Sequence, residues 1–239
     1  MPINPVTYHG VVDIGNTSVK MAIFRNRRLE AFSQVSHEEW KEAWPVFSEQ
    51  WEISKKVFSN VSDENWTPDQ SWMEFLSPRA EGKIGKYQYS NNLGRDRVAA
   101  MLGGVGCVDS TYFLVVDLGS CVTYNWVNGS NFNGLAISPG RAMRWRAMHD
   151  YTSRLPLLSW SANPDFPLFS TEQNLWLGGH QSWIVEVLGM VDFFKSKYSI
   201  EEVLFTGSDA VYLKDFLTEK MQIIAHLNLV GMNNWLYEN

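Results

Sequence analysis

The chain has 239 residues, 45% of them hydrophobic, which is enough to bury a large core and to fill one domain or two. Its 26 acidic and 20 basic residues leave a net charge of −6, so no global positive field favours nucleic acid or an anionic membrane. Two cysteines, Cys107 and Cys121, without CxxC or CxxH spacing, exclude a disulfide framework and a zinc cluster, and both read as small packing residues. The longest apolar stretch, residues 112–127, carries Asp117 in its middle and reads as two strands. The N-terminus has no basic-plus-apolar leader, so a cytoplasmic protein without membrane contact is expected.

In chain order, "VVDIG" ends a strand, "NTS" turns, "VKMAIF" returns, and "LEAFSQV" adds a third strand of period two. Ser36 and Glu39 have capping-box spacing, which predicts a helix from residue 37 that yields near Pro45. "KKVFSNV" reads as a strand, and Thr67-Pro68 as the start of a short helix through "QSWMEFL". "KIGKYQY" and a helical "RDRVAAMLGG" close the first half.

From residue 111 the pattern restarts with strands "YFLVVDL" and "VTYNWV", a turn at Asn128-Gly129, strand "NGLAIS", and a helix over 141–153. A Pro-containing loop leads to Ser170 and Gln173, a second capping-box spacing, and a helix to residue 197 in which Gly189 is a weak point. Strand "EVLFTG", a short helix after Asp209, strand "IIAHLNL" and a helical tail complete the reading. Two similar halves, 1–110 and 111–239, each opening on V-V-D-[IL]-G, suggest a duplicated α/β domain with a cleft between the copies.

A carboxylate at the end of a buried strand leaves the core where the chain turns. A glycine two residues on, Gly15 or Gly119, permits the positive φ that aims backbone amides inward, where they bind anions. Asn16 and Thr17 add amide and hydroxyl donors, and Lys20 on the returning strand adds a point charge for phosphate. Beside phosphates Asp13 is more sensibly a magnesium ligand, direct or through water. The bland alternative is that each D-x-G is only a hairpin turn. Neither a P-loop nor a dinucleotide fingerprint is present. Asp96, between Arg95 and Arg97 and just after Gly94, is placed to accept a substrate proton in phosphoryl transfer; the alternative is a solvated R-D-R turn. The five histidines make no metal-spaced pair, and the eleven tryptophans are scattered as packing residues are.

The D-x-G-N-T run of Asp13 to Lys20, the G-x-D-R of Gly94 to Arg97, the D-x-G-[ST]-x-x-T of Asp117 to Thr123, "GLAISPG" and the late "TGSDA" stand in the order seen in type III pantothenate kinases, which the chain resembles from residue 11 to about 210. The resemblance implies the duplicated ribonuclease-H-like fold shared with acetate kinase, sugar kinases, Hsp70 and actin. It implies transfer of the ATP γ-phosphate to pantothenate, the first step toward coenzyme A, by a homodimer that needs Mg²⁺ and a monovalent cation, K⁺ or NH₄⁺. Carried over, Asp13, Gly15, Asn16, Thr17 and Lys20 clamp phosphate, with Gly119 and Ser120 also on ATP. Asp96 is the base, Tyr87, Gly94, Arg95 and Arg97 meet pantothenate, Asp117 holds the monovalent cation, and Thr171 reaches pantothenate from the partner subunit. Tyr89 competes with Tyr87. Departures include Asn125 for Asp, Leu135 for the second Gly of G-G-x-I-x-P-G, and Ser208 for Gly in T-G-G-D; the last two bear on ATP affinity. They motivate a competing reading, a non-catalytic or regulatory relative that keeps the nucleotide site. Another small-molecule kinase is the third.

Overall fold

The computed structural model describes residues 6–62, 66, 69–76, 82–158 and 165–237. The chain divides into two compact units. The first takes the residues up to Thr111, Asn125–Gly134, and the chain from His226 on; the second takes Tyr112–Tyr124 and Leu135–Ala225. The C-terminal segment therefore returns to the first unit, which division of the sequence at 110/111 does not anticipate.

In the first unit, β1 (Tyr8–Ile14), β2 (Val19–Arg25) and β3 (Arg28–Val35) form the meander read from the sequence, and β4 (Ile53–Asn60) and β5 (Trp72–Glu74) extend it in the order β3-β2-β1-β4-β5. β1 is antiparallel to β2 and parallel to β4, and β4 is parallel to β5. Period two divides β1 between two faces. Val12 and Ile14 join Val19, Met21 and Phe58 in an apolar cluster with Trp40 of α1 (Trp40–Ser48), leaving His9, Val11 and Asp13 for the other face.

The capping box before α1 is made: the Glu39 amide donates to Ser36 Oγ at 3.3 Å, and Ser36 Oγ donates to the Glu39 carboxylate at 2.7 Å. Pro45 does not end this helix. It lies inside it, and packing of Trp40, Ala43, Trp44 and Phe47 offsets the lost backbone bond. "QSWMEFL" is not helical either: residues 72–74 form β5, paired with Lys56–Phe58, while Thr67 and Pro68 lie outside the described residues. The hairpin β6 (Lys83–Ile84) and β7 (Tyr87–Tyr89) then leads to α2 (Arg95–Gly104).

The second unit repeats the strand order. β8 (Tyr112–Leu118), β9 (Cys121–Asn128), β10 (Asn131–Pro139), β11 (Glu202–Thr206) and β12 (Met221–Ile223) lie as β10-β9-β8-β11-β12, with β11 parallel to both β8 and β12. The far end of the β9–β10 hairpin belongs to the first unit, where Asn131 and Phe132 pair with β7. α3 (Arg141–Asp150) follows β10.

The long helix expected to residue 197 is three pieces: α4 (Thr171–Trp176), a π-helical turn (Leu177–Gln181) and α5 (Ser182–Lys197). Its cap is as read, with the Gln173 amide donating to Ser170 Oγ at 3.1 Å. The π turn has an identifiable cause. Buried Trp145 donates its indole N–H to the Leu175 carbonyl at 2.9 Å, a carbonyl that an α-helix would give to the amide of Gly179. "IIAHLNL" is the last correction. Its strand ends at Ile223, His226 breaks the chain at φ 59°, and α6 (Leu227–Leu236) begins.

α6 closes the first unit. Asn233 Oδ1 lies 2.9 Å from Nδ1 of buried His9, its amide donates to the Asn26 carbonyl at 3.0 Å, and Lys55 Nζ donates to the Leu236 carbonyl at 3.0 Å. Burial lowers the pKa of His9, as it does those of His180 and His226. The unfolded chain therefore takes up protons that the folded chain refuses once pH falls below the ordinary histidine value of 6.5. Stability is whole above that pH and is lost as pH falls toward the folded values. We expect Tm to drop between pH 7.5 and 5.5, and to drop less in His9→Gln; a Tm that stays level over that range refutes the account.

Candidate active site

Asp13 and Asp117 occupy the same place, the sixth of seven residues in β1 and in β8, the central strands of the two matching five-strand orders. Their parallel neighbours are also alike: Ser59 lies opposite Asp13 and Thr206 opposite Asp117, both buried hydroxyls. The sequence reading missed this second echo, which pairing between distant strands alone reveals.

In the first unit Asp13 is buried, Lys20 is its partner across β2, and the Asn228 side-chain amide donates to Asp13 Oδ2 at 2.5 Å. Asn16 and Thr17 stand exposed at the turn. Gly15 corrects the expectation of a left-handed glycine: its φ is not positive, and its amide donates to the Ser18 carbonyl at 3.1 Å, closing the turn. Gly119 behaves alike, donating to the Cys121 carbonyl at 3.1 Å. The left-handed glycine is Gly207, at φ 92°, where a Cβ would meet Asp117 Oδ1 and the Leu118 carbonyl, each at 2.5 Å. Only glycine fits there. The exposed Ser208 that follows carries no such strain.

The turn at Gly119-Ser120 is held from two sides within the second unit. The Gly140 amide, at the start of α3, donates to the Ser120 carbonyl at 3.0 Å, and the Asp209 amide donates to the Leu118 carbonyl at 3.0 Å. Those two anchors are tied together, because buried Arg141 donates through Nη2 to Asp209 Oδ1 at 3.0 Å and through Nε to Oδ2 at 3.3 Å, with Tyr212 under its guanidinium. Paired from two helix starts, this fork fixes the turn that carries Ser120. Neither residue was singled out from the sequence. Ser120 is exposed and Asp117 half-buried.

α2 carries the G-x-D-R residues at its start. Asp96 lies in the first turn, where the helix dipole favours a carboxylate, and its side chain folds back beside Gly94. The two arginines part company. Arg95 pairs with Glu74 of β5, whereas Arg97 donates through Nε to Asn125 Oδ1 at 2.6 Å. Burial lowers the Arg97 pKa, opposed by Asp96, and its contact with Asn125 is to a neutral side chain. Tyr87 is buried with its ring stacked on Phe132 at 4.6 Å and the Lys86 ammonium over it, while Tyr89 is half-buried. Thr171 opens α4 and is exposed.

Among the described residues no group of three or more His, Cys, Asp or Glu side chains can hold a metal, and no helix is long and apolar enough to cross a membrane. A single strand-end carboxylate fits Mg²⁺ nonetheless, since that ion keeps several waters and is bound through one or two carboxylates together with substrate phosphates.

Two five-strand arrangements of one order, β3-β2-β1-β4-β5 and β10-β9-β8-β11-β12, each with an acid near the end of its central strand, define the duplicated ribonuclease-H-like fold of actin-like ATPases and sugar kinases. A conserved Campylobacter jejuni protein whose name places it in the Baf family of transcriptional activators has this fold, with a TM-score of 0.59 and 20% identity over 96% of this chain and 98% of that one. The type III pantothenate kinase of Cytophaga hutchinsonii is 29% identical over 96% of this chain and 98% of the relative, and that of Flavobacterium johnsoniae 30% identical over 92% of each. The family model for type III pantothenate kinase matches residues 11–192, and the chain belongs to that family.

Proposed function

We propose that the chain phosphorylates pantothenate with ATP, giving 4'-phosphopantothenate and opening coenzyme A biosynthesis. The observation that carries this reading is Asp96 in the first turn of α2, beside Gly94. A protein that only bound nucleotide would have no use for that carboxylate. Asp96 accepts the proton of the pantothenate hydroxyl as the phosphoryl group leaves ADP, and Arg95 and Arg97, on either side of it, meet the substrate carboxylate. Tyr87 and Gly94 line the substrate in this reading. Gly15, Asn16, Thr17, Lys20, Gly119 and Ser120 are the ATP-binding residues in this reading. Asp13 is the magnesium ligand, and Mg²⁺ when bound neutralises phosphate charge. Asp117, beside Thr206, takes the monovalent cation, K⁺ or NH₄⁺.

The working unit is a homodimer, with Thr171 reaching the pantothenate of the other copy. Leu168, Phe169, Leu177, Val185 and Phe193 support this: all are exposed and apolar, the first two in the turn before Thr171 and the other three on the helical stretch that follows it.

The test is coupled ADP release from purified protein over a panel of hydroxyl compounds. Pantothenate alone should stimulate release. Stimulation by a different compound would make the chain another small-molecule kinase, and stimulation by none would make it a binding protein.

A further inference from the structure

We propose that Asn228, delivered by the C-terminal helix α6, is a positioning residue for Asp13, holding one carboxylate oxygen so that the group stays aimed at the nucleotide's phosphates and their magnesium. The inference rests on the role given to Asp13 above.

The geometry is specific. Asn228 Nδ2 lies 2.5 Å from Asp13 Oδ2, and each residue is 6% exposed. A buried carboxylate is costly unless donors satisfy it. Lys20, its partner across β2, is the residue a phosphate would claim. A neutral donor that phosphate does not compete for is what keeps Asp13 in place once the nucleotide arrives.

Asn228 is itself held firmly. Five residues further along α6, Asn233 is locked between His9 and the Asn26 carbonyl, so one helix grips β1 at both ends. Asp117, the equivalent acid of the second unit, has different company: it is half-buried beside Thr206 and Gly207. One repeat position therefore carries two differently prepared carboxylates, and Asn228 belongs to one of them.

The experiment uses the full chain and calorimetry with a non-hydrolysable ATP analogue at varied Mg²⁺, alongside Tm. Asn228→Ala removes the donor, and Asn228→Asp replaces it with an acceptor of the same shape. Both should raise the Mg²⁺ concentration at half-maximal analogue binding by about 10–100-fold, the usual effect of losing a group that orients a metal ligand. Asn233→Ala, which loosens the same helix at His9, should lower Tm while the Mg²⁺ midpoint stays at the parental value. Should the alanine variant not fold, Asn228→Ser carries the same readouts. Parental Mg²⁺ midpoints in the Asn228 variants, with analogue binding lost in Asp13→Asn, would overturn the positioning role. Parental binding in Asp13→Asn would instead overturn the reading of Asp13 itself, a separate failure.

Discussion

Asp96→Asn is expected to lower kcat for pantothenate phosphorylation by about 10²–10⁴-fold, the range that a positioned general base contributes, with little change in the affinity of an ATP analogue. The substitution is nearly isosteric, so α2 keeps its first turn and Arg97 keeps Asn125. What disappears is the acceptor for the hydroxyl proton. The lower end of the range is the better expectation, because a loose phosphoryl-transfer transition state leaves most of the acceleration to positioning and charge neutralisation. Single-turnover rates beside calorimetric affinities check the claim. Wild-type turnover in the variant would remove Asp96 as the base, and a parallel loss of analogue binding would mean that its carboxylate supports the nucleotide instead.

The positions of Asp13 and Asp117 near strand ends and of Asp96 at a helix start were legible in the sequence because their signals are local: an apolar run that ends in an acid, or an acid just inside a helix start. The partners that prepare them were not. α6 hides Asn228 because the helix is buried nearly all round, from Leu227 and Leu229 to Met232, Trp235 and Leu236, so no polar face marks a helical period. The alternation of His226, Leu227, Asn228 and Leu229 then imitates a half-buried strand. Glu74 was misplaced for a related reason. Pairing of β5 with β4 overrides the local helical signs of "QSWMEFL", and only that pairing brings a carboxylate to Arg95. The positive φ expected of the D-x-G glycines is absent at both. It falls instead at Gly207, just past the end of β11, where it lets the backbone approach Asp117.

Gly231→Ala is expected to destabilise the protein by about 3 kcal/mol, a Tm fall of roughly 6–12 °C for a chain of this size. α2 and α6 cross with their backbones in contact. A Cβ on Gly231 would run into the Ala99 carbonyl and come within 2.8 Å of the Gly103 amide nitrogen, while one on Gly103 would run into the Leu227 carbonyl and come within 3.1 Å of the Gly231 amide nitrogen. No rotamer relieves an overlap between a Cβ and backbone, so the helices must part. Parting them draws Asn228 away from Asp13 and weakens the support of the helix that carries Asp96 in its first turn, so kcat should fall along with Tm. Gly103→Ala should act alike, and the double variant should cost clearly less than the sum of the two. Once one methyl has separated the axes, the second meets space already opened, a coupling of the kind seen between residues in direct contact. Additive effects on Tm would mean that the two glycines serve separate contacts. A Tm within 2 °C of the parent in either single variant would mean that the crossing is looser than this account requires.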